Sequence, residues 1–339
     1  MNLEELNRTA RALVDNSRGI LAADESSPTI KKRFDSIQVE STEESRRAYR
    51  DMLFTAPGVE STISGVILYE ETLFQSSADG TPFPKLLASR NIIPGIKVDK
   101  GAKPLALCPG ETVTEGLDGL RDRLVRYREA GARFAKWRAV IDIAEDLPTS
   151  TCIDTNAHAL ARYAALCQEQ DIVPIVEPEV LMDGAHDIET CEEVTRATLS
   201  AVFAQLDAQG VEFEGMLLKP NMVISGAKCP QQATVQEVAE ATVRTLRRYV
   251  PAAVPGIVFL SGGQSDELAT AHLNAMNRLG PNPWVLSFSY GRALQAAALK
   301  AWAGQAGNVA AGQKAFAHRA ACNSAAVRGE YSAAMENAA

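Results

Sequence analysis

The stretch Ile172–Glu179 reads IVPIVEPE, an apolar run rich in β-branched residues that ends in two carboxylates two positions apart. In a strand, residues i and i+2 point to the same face, so Glu177 and Glu179 project together. A strand covered on both sides is normally a continuous apolar run, and a charge inside it costs free energy unless paired. The same design recurs along the chain. Asp24 follows GILAA, Lys97 and Asp99 close GIKVD, Lys136 and Arg138 close FAKWR, and Lys219 closes MLLKP. Independent surface charges would be scattered over both ends of such runs. These all fall at the C-terminal end.

Apolar runs of this kind occur at Gly19–Ala23, Ser64–Tyr69, Gly95–Asp99, Arg133–Arg138, Ile172–Glu179, Met216–Pro220, Gly256–Ser261 and Val285–Tyr290. Between them lie segments such as Ala157–Cys167 and Val235–Tyr249, with apolar residues at three- and four-residue spacing. Strands alternating with amphipathic helices predict βαβ units and a parallel sheet. Eight units in 339 residues fit an α/β fold of the (β/α)8 TIM-barrel kind, folded as a single domain, better than an open sheet. Spacing alone leaves the open sheet available. In a barrel, the charged strand ends converge on one mouth, the face where barrel active sites lie. The expected domain runs over 1–331, with 332–339 as a short, flexible C-terminal tail.

Two glycine turns add a different signal. The seventh run leads into FLSGGQS (Phe259–Ser265), the eighth into SFSYGRA (Ser287–Ala293). Glycines let backbone amides face an anion, and a helix start adds partial positive charge. Arg292 can grip a phosphate bidentately. Barrels often seat a phosphate in these two loops.

The formal net charge of −8 argues against nucleic acid or an anionic membrane as partner. A local Lys/Arg cluster can still attract an anionic substrate. No stretch approaches the roughly 18 apolar residues of a membrane span. The N-terminal MNLEELNRTARALV spaces Leu3, Leu6, Ala10, Leu13 and Val14 as in a surface helix, unlike a secretion signal. Six cysteines show neither CxxC pairs nor histidines at zinc-finger spacing. Free thiols and a cytoplasmic location are the expectation.

Metal catalysis fits poorly, because none of His158, His186, His272 and His318 closes a strand. No hydrolase signature is present. Glu177 and Glu179 could be a glycosidase pair, but such carboxylates usually come from different elements. A lysine nucleophile fits better. Lys219, in an apolar strand near Lys136 and Arg138, would have its charged form disfavoured and could attack a ketone. Glu177 could serve carbinolamine dehydration and Asp24 a substrate hydroxyl.

These stretches, together with GVILYEETL (Gly65–Leu73), GLDGL (Gly116–Leu120) and LLKPNMV (Leu217–Val223), occur in one order over nearly the whole chain. Taken together they resemble the class I, Schiff-base-forming fructose-bisphosphate aldolases. The resemblance implies a (β/α)8 barrel that reversibly cleaves fructose 1,6-bisphosphate to dihydroxyacetone phosphate and glyceraldehyde 3-phosphate, without metal or other cofactor. It implies Lys219 as the Schiff-base lysine, Glu177 as general acid/base with Glu179 beside it, Asp24 near the C4 hydroxyl, and Lys136 beside the reacting carbons. Ser261, Gly262, Gly291 and Arg292 match the ketone-side phosphate site. Ser26, Arg33 and Lys97 match groups around the other phosphate, with Arg138 close by. Thr29 stands where many relatives have Ser. After Asp24, Ser27–Pro28 reads as a helix N-cap with proline in the first turn. Animal members run on to a terminal tyrosine, and Tyr331 matches an earlier position. A homotetramer is implied. Two other readings stand beside this one. The first is a lysine-dependent barrel acting on another sugar phosphate. The second is a non-catalytic scaffold, which would be expected to lose Lys219, Glu177 or Asp24 first.

Overall fold

Each of the expected runs becomes a strand because its apolar side chains alternate between a barrel interior and a surrounding layer of helices, both dry. The computed structural model describes residues 1–337. Its parallel strands are β1 (Gly19–Ala23), β2 (Ile63–Leu68), β3 (Ile93–Lys97), β4 (Phe134–Ile141), β5 (Val173–Val180), β6 (Leu217–Leu218), β7 (Gly256–Phe259) and β8 (Val285–Tyr290). They pair in chain order and β8 closes onto β1, so the sheet is a closed barrel of eight and the open alternative falls. The crossover helices start where polar caps satisfy their free amides. Thr149 accepts from Cys152 N–H at the head of Ser150–Glu169, and Thr234 and Glu237 form a reciprocal capping box before Val235–Tyr249. An antiparallel pair, Ala102–Pro104 with Thr112–Thr114, lies outside the barrel and has no counterpart in the sequence reading.

Ile20, Ala22, Ile67, Phe134, Val173, Ile175, Leu217 and Val258 form one fully buried cluster. Stepping two residues along β1 leads from Ile20 and Ala22 to Asp24. The same step leads from Phe134 to Lys136 and Arg138, from Ile175 to Glu177 and Glu179, and from Leu217 to Lys219. The functional row is therefore the upper continuation of the apolar row that fills the barrel.

One expectation needs correction. The helix Leu3–Ala12 is not a simple surface helix. Its Leu6 and Ala10, with the following Leu13 and Val14, belong to the interior cluster, so its apolar face packs against the barrel core. At the other end, Ala333–Asn337 forms a 3-10 turn in the stretch expected to be loose. Its Glu336 accepts a hydrogen bond from Tyr331 Oη at 2.7 Å and pairs with Arg319. Ala338 and Ala339, in the same expected tail, lie outside the described residues.

Gly95 faces the interior where a Cβ would stand 2.3 Å from the Phe134 ring, itself fully buried and also close to Gly65. Gly95→Ala is expected to cost about 1–3 kcal/mol by overpacking, read as a lower urea midpoint with unchanged slope.

Candidate active site

The strand ends open into a cavity of about 550 Å³ at the C-terminal mouth of the barrel. Asp24, Lys136, Glu177, Glu179 and Lys219 line it, as do Ser26, Arg33, Lys97, Arg138, Ser261, Gly262, Gly291 and Arg292. No residue singled out from the sequence for the site lies elsewhere.

At the centre stands a chain of alternating charges. Lys219 Nζ lies 3.1 Å from Glu177 Oε1, Glu177 Oε2 lies 3.1 Å from Lys136 Nζ, and Lys136 Nζ lies 2.8 Å from Asp24 Oδ2. Two ammonium groups and two carboxylates sum to zero, which is what makes this depth tolerable for four charges. Burial works against ionisation of Asp24 and is the largest influence on it. Lys136, and then Lys219, outweigh that and hold its carboxyl well below the usual range. Glu177 is treated the same way, with burial opposed by Lys136, Lys219 and Arg138 in that order, and titrates below an ordinary glutamate. Burial alone would push Lys136 down, but Asp24 and Glu177 push it well above the usual lysine value. The two lysines are thus unequal. Lys136 is clamped between two carboxylates, while Lys219 faces one.

Next to this chain, Arg138 pairs through Nε with Glu179 Oε2. Burial disfavours its charge, yet Glu179 and Glu177 raise the guanidinium above its ordinary value. Lys97 reaches Asp99 Oδ1 at 2.6 Å and donates to the Asp99 carbonyl at 3.0 Å. Their shared face, expected from the i, i+2 spacing, is thereby tied into an ion pair at the rim.

The glycine turns sit across the mouth. Gly262 has φ +58°, a left-handed backbone that favours glycine, and Arg292 donates to its carbonyl. Ser265 caps Asp266–Arg278 and Gly291 precedes Arg292–Trp302, so two helix N-termini follow the turns. The next helix to reach the site, Ser27–Asp35, is capped one residue earlier than expected. Ser26 is the N-cap, and its Oγ lies 3.1 Å from Thr29 Oγ1. Arg33 stands beside Gly291, its Nη2 only 3.7 Å from where a Cβ would be, so it borders the β8 turn.

Sequence reasoning missed several neighbours. Glu25 is buried and holds Arg33, Arg50 at 2.6 Å and Gln295 at 3.0 Å, positioning Arg33 from behind. Arg50 and Gln295 come from distant segments, and no local pattern announces them. Ser289 was within reach, because stepping two residues along SFSY places it at the mouth of β8. Its hydroxyl is buried, lines the cavity and has no protein partner among the described residues. Lys32 and Leu260 also line the cavity. Tyr331 does not. Its hydroxyl is engaged by Glu336.

A closed (β/α)8 barrel whose mouth joins a buried lysine–carboxylate chain to two anion-binding turns is the framework of a lysine-dependent lyase of phosphorylated substrates. The family described as fructose-bisphosphate aldolase class-I matches residues 5–339. A probable fructose-bisphosphate aldolase class 1 of Xanthomonas campestris is 60% identical over 98% of this chain and 99% of its own length. The fructose-bisphosphate aldolase of Dictyostelium discoideum is 56% identical over 97% and 93%. A crystal structure of the Plasmodium falciparum aldolase, in complex with TRAP and a small-molecule inhibitor, matches with a TM-score of 0.96. It is 54% identical and covers 97% of this chain and 96% of that one. The chain belongs to the class-I fructose-bisphosphate aldolase family. Its reaction is the reversible carbon–carbon cleavage of that family, carried by a lysine Schiff base without a metal.

Proposed function

We propose that Lys219 is the lysine that forms the Schiff base, and that Glu177, Lys136 and Asp24 move the protons around it. The observation that supports this reading is the unbroken chain Lys219–Glu177–Lys136–Asp24 at 2.8–3.1 Å spacing. Lys219 passes a proton to Glu177 and attacks the ketone carbon of fructose 1,6-bisphosphate, giving a carbinolamine. Glu177 returns the proton to the departing hydroxyl, water leaves, and an iminium stands where the ammonium stood. The buried cluster has then recovered its zero charge. Asp24 takes the proton of the C4 hydroxyl, the C3–C4 bond breaks, and its electron pair moves into the iminium to give an enamine and glyceraldehyde 3-phosphate. Lys136 remains an ammonium throughout and stabilises negative charge as it develops. Glu179 holds Arg138 at the edge of the chain.

Ser261, Gly262, Gly291 and Arg292 bind the phosphate on the ketone side; Ser26, Lys97 and Arg138 serve the other end, and Arg33, expected there from the resemblance, stands beside the Gly291 turn. Removing one charge-assisted phosphate contact costs about 1.5–3 kcal/mol, or roughly 10- to 150-fold in kcat/KM. Arg292→Ala is expected to weaken fructose 1,6-bisphosphate and fructose 1-phosphate alike, whereas Lys97→Ala weakens only the bisphosphate. Equal losses on both substrates for Lys97→Ala would remove it from the second phosphate site.

The pH behaviour follows from the directions above. Asp24 and Glu177 titrate below their ordinary values of 3.8 and 4.5, so their stabilising contribution is present above those values and lost as pH falls through the lower folded ones. Lys136 titrates above 10.5, so its contribution is present below that and lost as pH rises further. The stability difference between wild type and Asp24→Asn in urea should therefore stay constant from about pH 5 to 9. A steady slope across that window contradicts the assignment.

We further propose that residues 1–331 act as one catalytic unit, and that the protein works in the cytoplasm as a homotetramer, as the resemblance implies. Exposed Phe74 and Val125 offer apolar surface for such contacts. Light scattering on the eluted protein gives the subunit number. Cleavage of fructose 1,6-bisphosphate in EDTA tests the activity itself, and its absence would end this reading.

A further inference from the structure

We propose that His318, Cys322 and Glu336 form a three-ligand site for a zinc-class divalent cation, remote from the catalytic cavity, that clips the C-terminal turn onto the last helix. His318 and Cys322 are four residues apart on the helix Val309–Val327, which puts both side chains on one face. Glu336 comes from the 3-10 turn Ala333–Asn337 packed against that face. The three ligand atoms all lie within 4.8 Å of one another. Cys322 Sγ is 3.8 Å from His318 Nε2, and His318 Nε2 is 3.7 Å from Glu336 Oε2. Metal bonds of about 2.0–2.3 Å in a tetrahedron set neighbouring ligand atoms roughly 3.3–3.7 Å apart. Both of those distances are within a few tenths of an ångström of that spacing, and the third pair lies within 4.8 Å.

A thiolate, an imidazole and a carboxylate suit zinc far better than magnesium or calcium, which take oxygen ligands. Three protein ligands leave the fourth position to water. The supporting groups are in place. Tyr331 donates to Glu336 Oε1 at 2.7 Å, and Arg319 holds Glu336 Oε2, so the carboxylate is already oriented. Arg319 opposes a cation electrostatically. Its Nη2 also donates to Thr270 Oγ1 at 2.7 Å and the Asp266 carbonyl at 3.3 Å, so the guanidinium stays anchored when Glu336 shares its oxygen. On binding, the Cys322 S–H bond breaks, the proton leaves to water and a sulfur–metal bond forms, so affinity rises with pH. None of the three ligands lines the catalytic cavity.

The test is cobalt(II) titration of the full-length, EDTA-stripped protein, followed by displacement with zinc. The expected result is one cobalt per chain with a thiolate-to-cobalt absorption band, bleached by zinc. Cys322→Ala should lose the band, Cys229→Ala should keep it, and both should retain aldolase turnover. Zinc should also slow carboxypeptidase digestion past Tyr331 in wild type and not in Cys322→Ala. A wild-type protein without the band overturns the proposal, as does a band that survives Cys322→Ala or His318→Ala.

Discussion

Lys219→Met is expected to lower kcat for fructose 1,6-bisphosphate by about five orders of magnitude or more, with the barrel still folded. Removing the nucleophile of a covalent mechanism has an effect of this size, because nothing downstream can form. The other lysine within reach cannot take over. Lys136 lies 2.8 Å from Asp24 and 3.1 Å from Glu177, and both hold it as an ammonium, without a lone pair to attack with. Methionine keeps the apolar stem of Lys219 in its buried surroundings. Glu177 keeps its contact with Lys136, so no carboxylate is stranded. Far-UV circular dichroism and calorimetric binding of fructose 1,6-bisphosphate should stay close to wild type. A loss of only tenfold in kcat would mean that another amine carries the reaction.

The second large effect is expected at Glu177. Glu177→Gln preserves shape and one hydrogen-bonding oxygen but removes the group that both accepts the Lys219 proton and returns it to the leaving hydroxyl. A positioned acid–base group contributes about 10²–10⁴-fold, and kcat should fall by that much. The substitution also takes the buried cluster from zero charge to one net positive charge. Lys136 keeps Asp24, while Lys219 loses its carboxylate partner. Breaking a buried pair in this way costs on the order of 3–5 kcal/mol, visible as a lower urea midpoint. The two consequences can be separated. If Glu177 acted only as a structural counter-ion, kcat would recover at low temperature, where the variant is fully folded. If it moves the proton, turnover stays depressed there, and formation of the iminium from dihydroxyacetone phosphate is slowed in single-turnover measurements.

Much of this site was legible in the chain because the barrel reads out a two-residue period. Phe134, Lys136 and Arg138 lie on one row, as do Ile175, Glu177 and Glu179. The change from apolar to charged marks where packed core gives way to the mouth. Applied to β8, the same rule would have found Ser289. What could not be read depends on contacts between distant segments. Glu25 follows Asp24 immediately, yet it turns away to Arg33, Arg50 and Gln295, drawn from three different helices. The N-terminal helix has the amphipathic pattern of any surface helix, and only the open lower end of the barrel explains why Leu6 and Ala10 are buried there. The stretch after Tyr331 is short and built mostly of small residues, enough to pass for a loose end until Arg319, from a helix a dozen residues earlier, captures Glu336.

Chemical trapping of the intermediate tests the role of Lys219 at its source. The protein is incubated with dihydroxyacetone phosphate in EDTA, reduced with borohydride, digested and mapped by mass spectrometry. One reduced adduct per chain is expected, on Lys219, undiminished by the chelator. An adduct on Lys136 or elsewhere with Lys219 unmodified, or activity lost in EDTA and restored by zinc, would contradict that role.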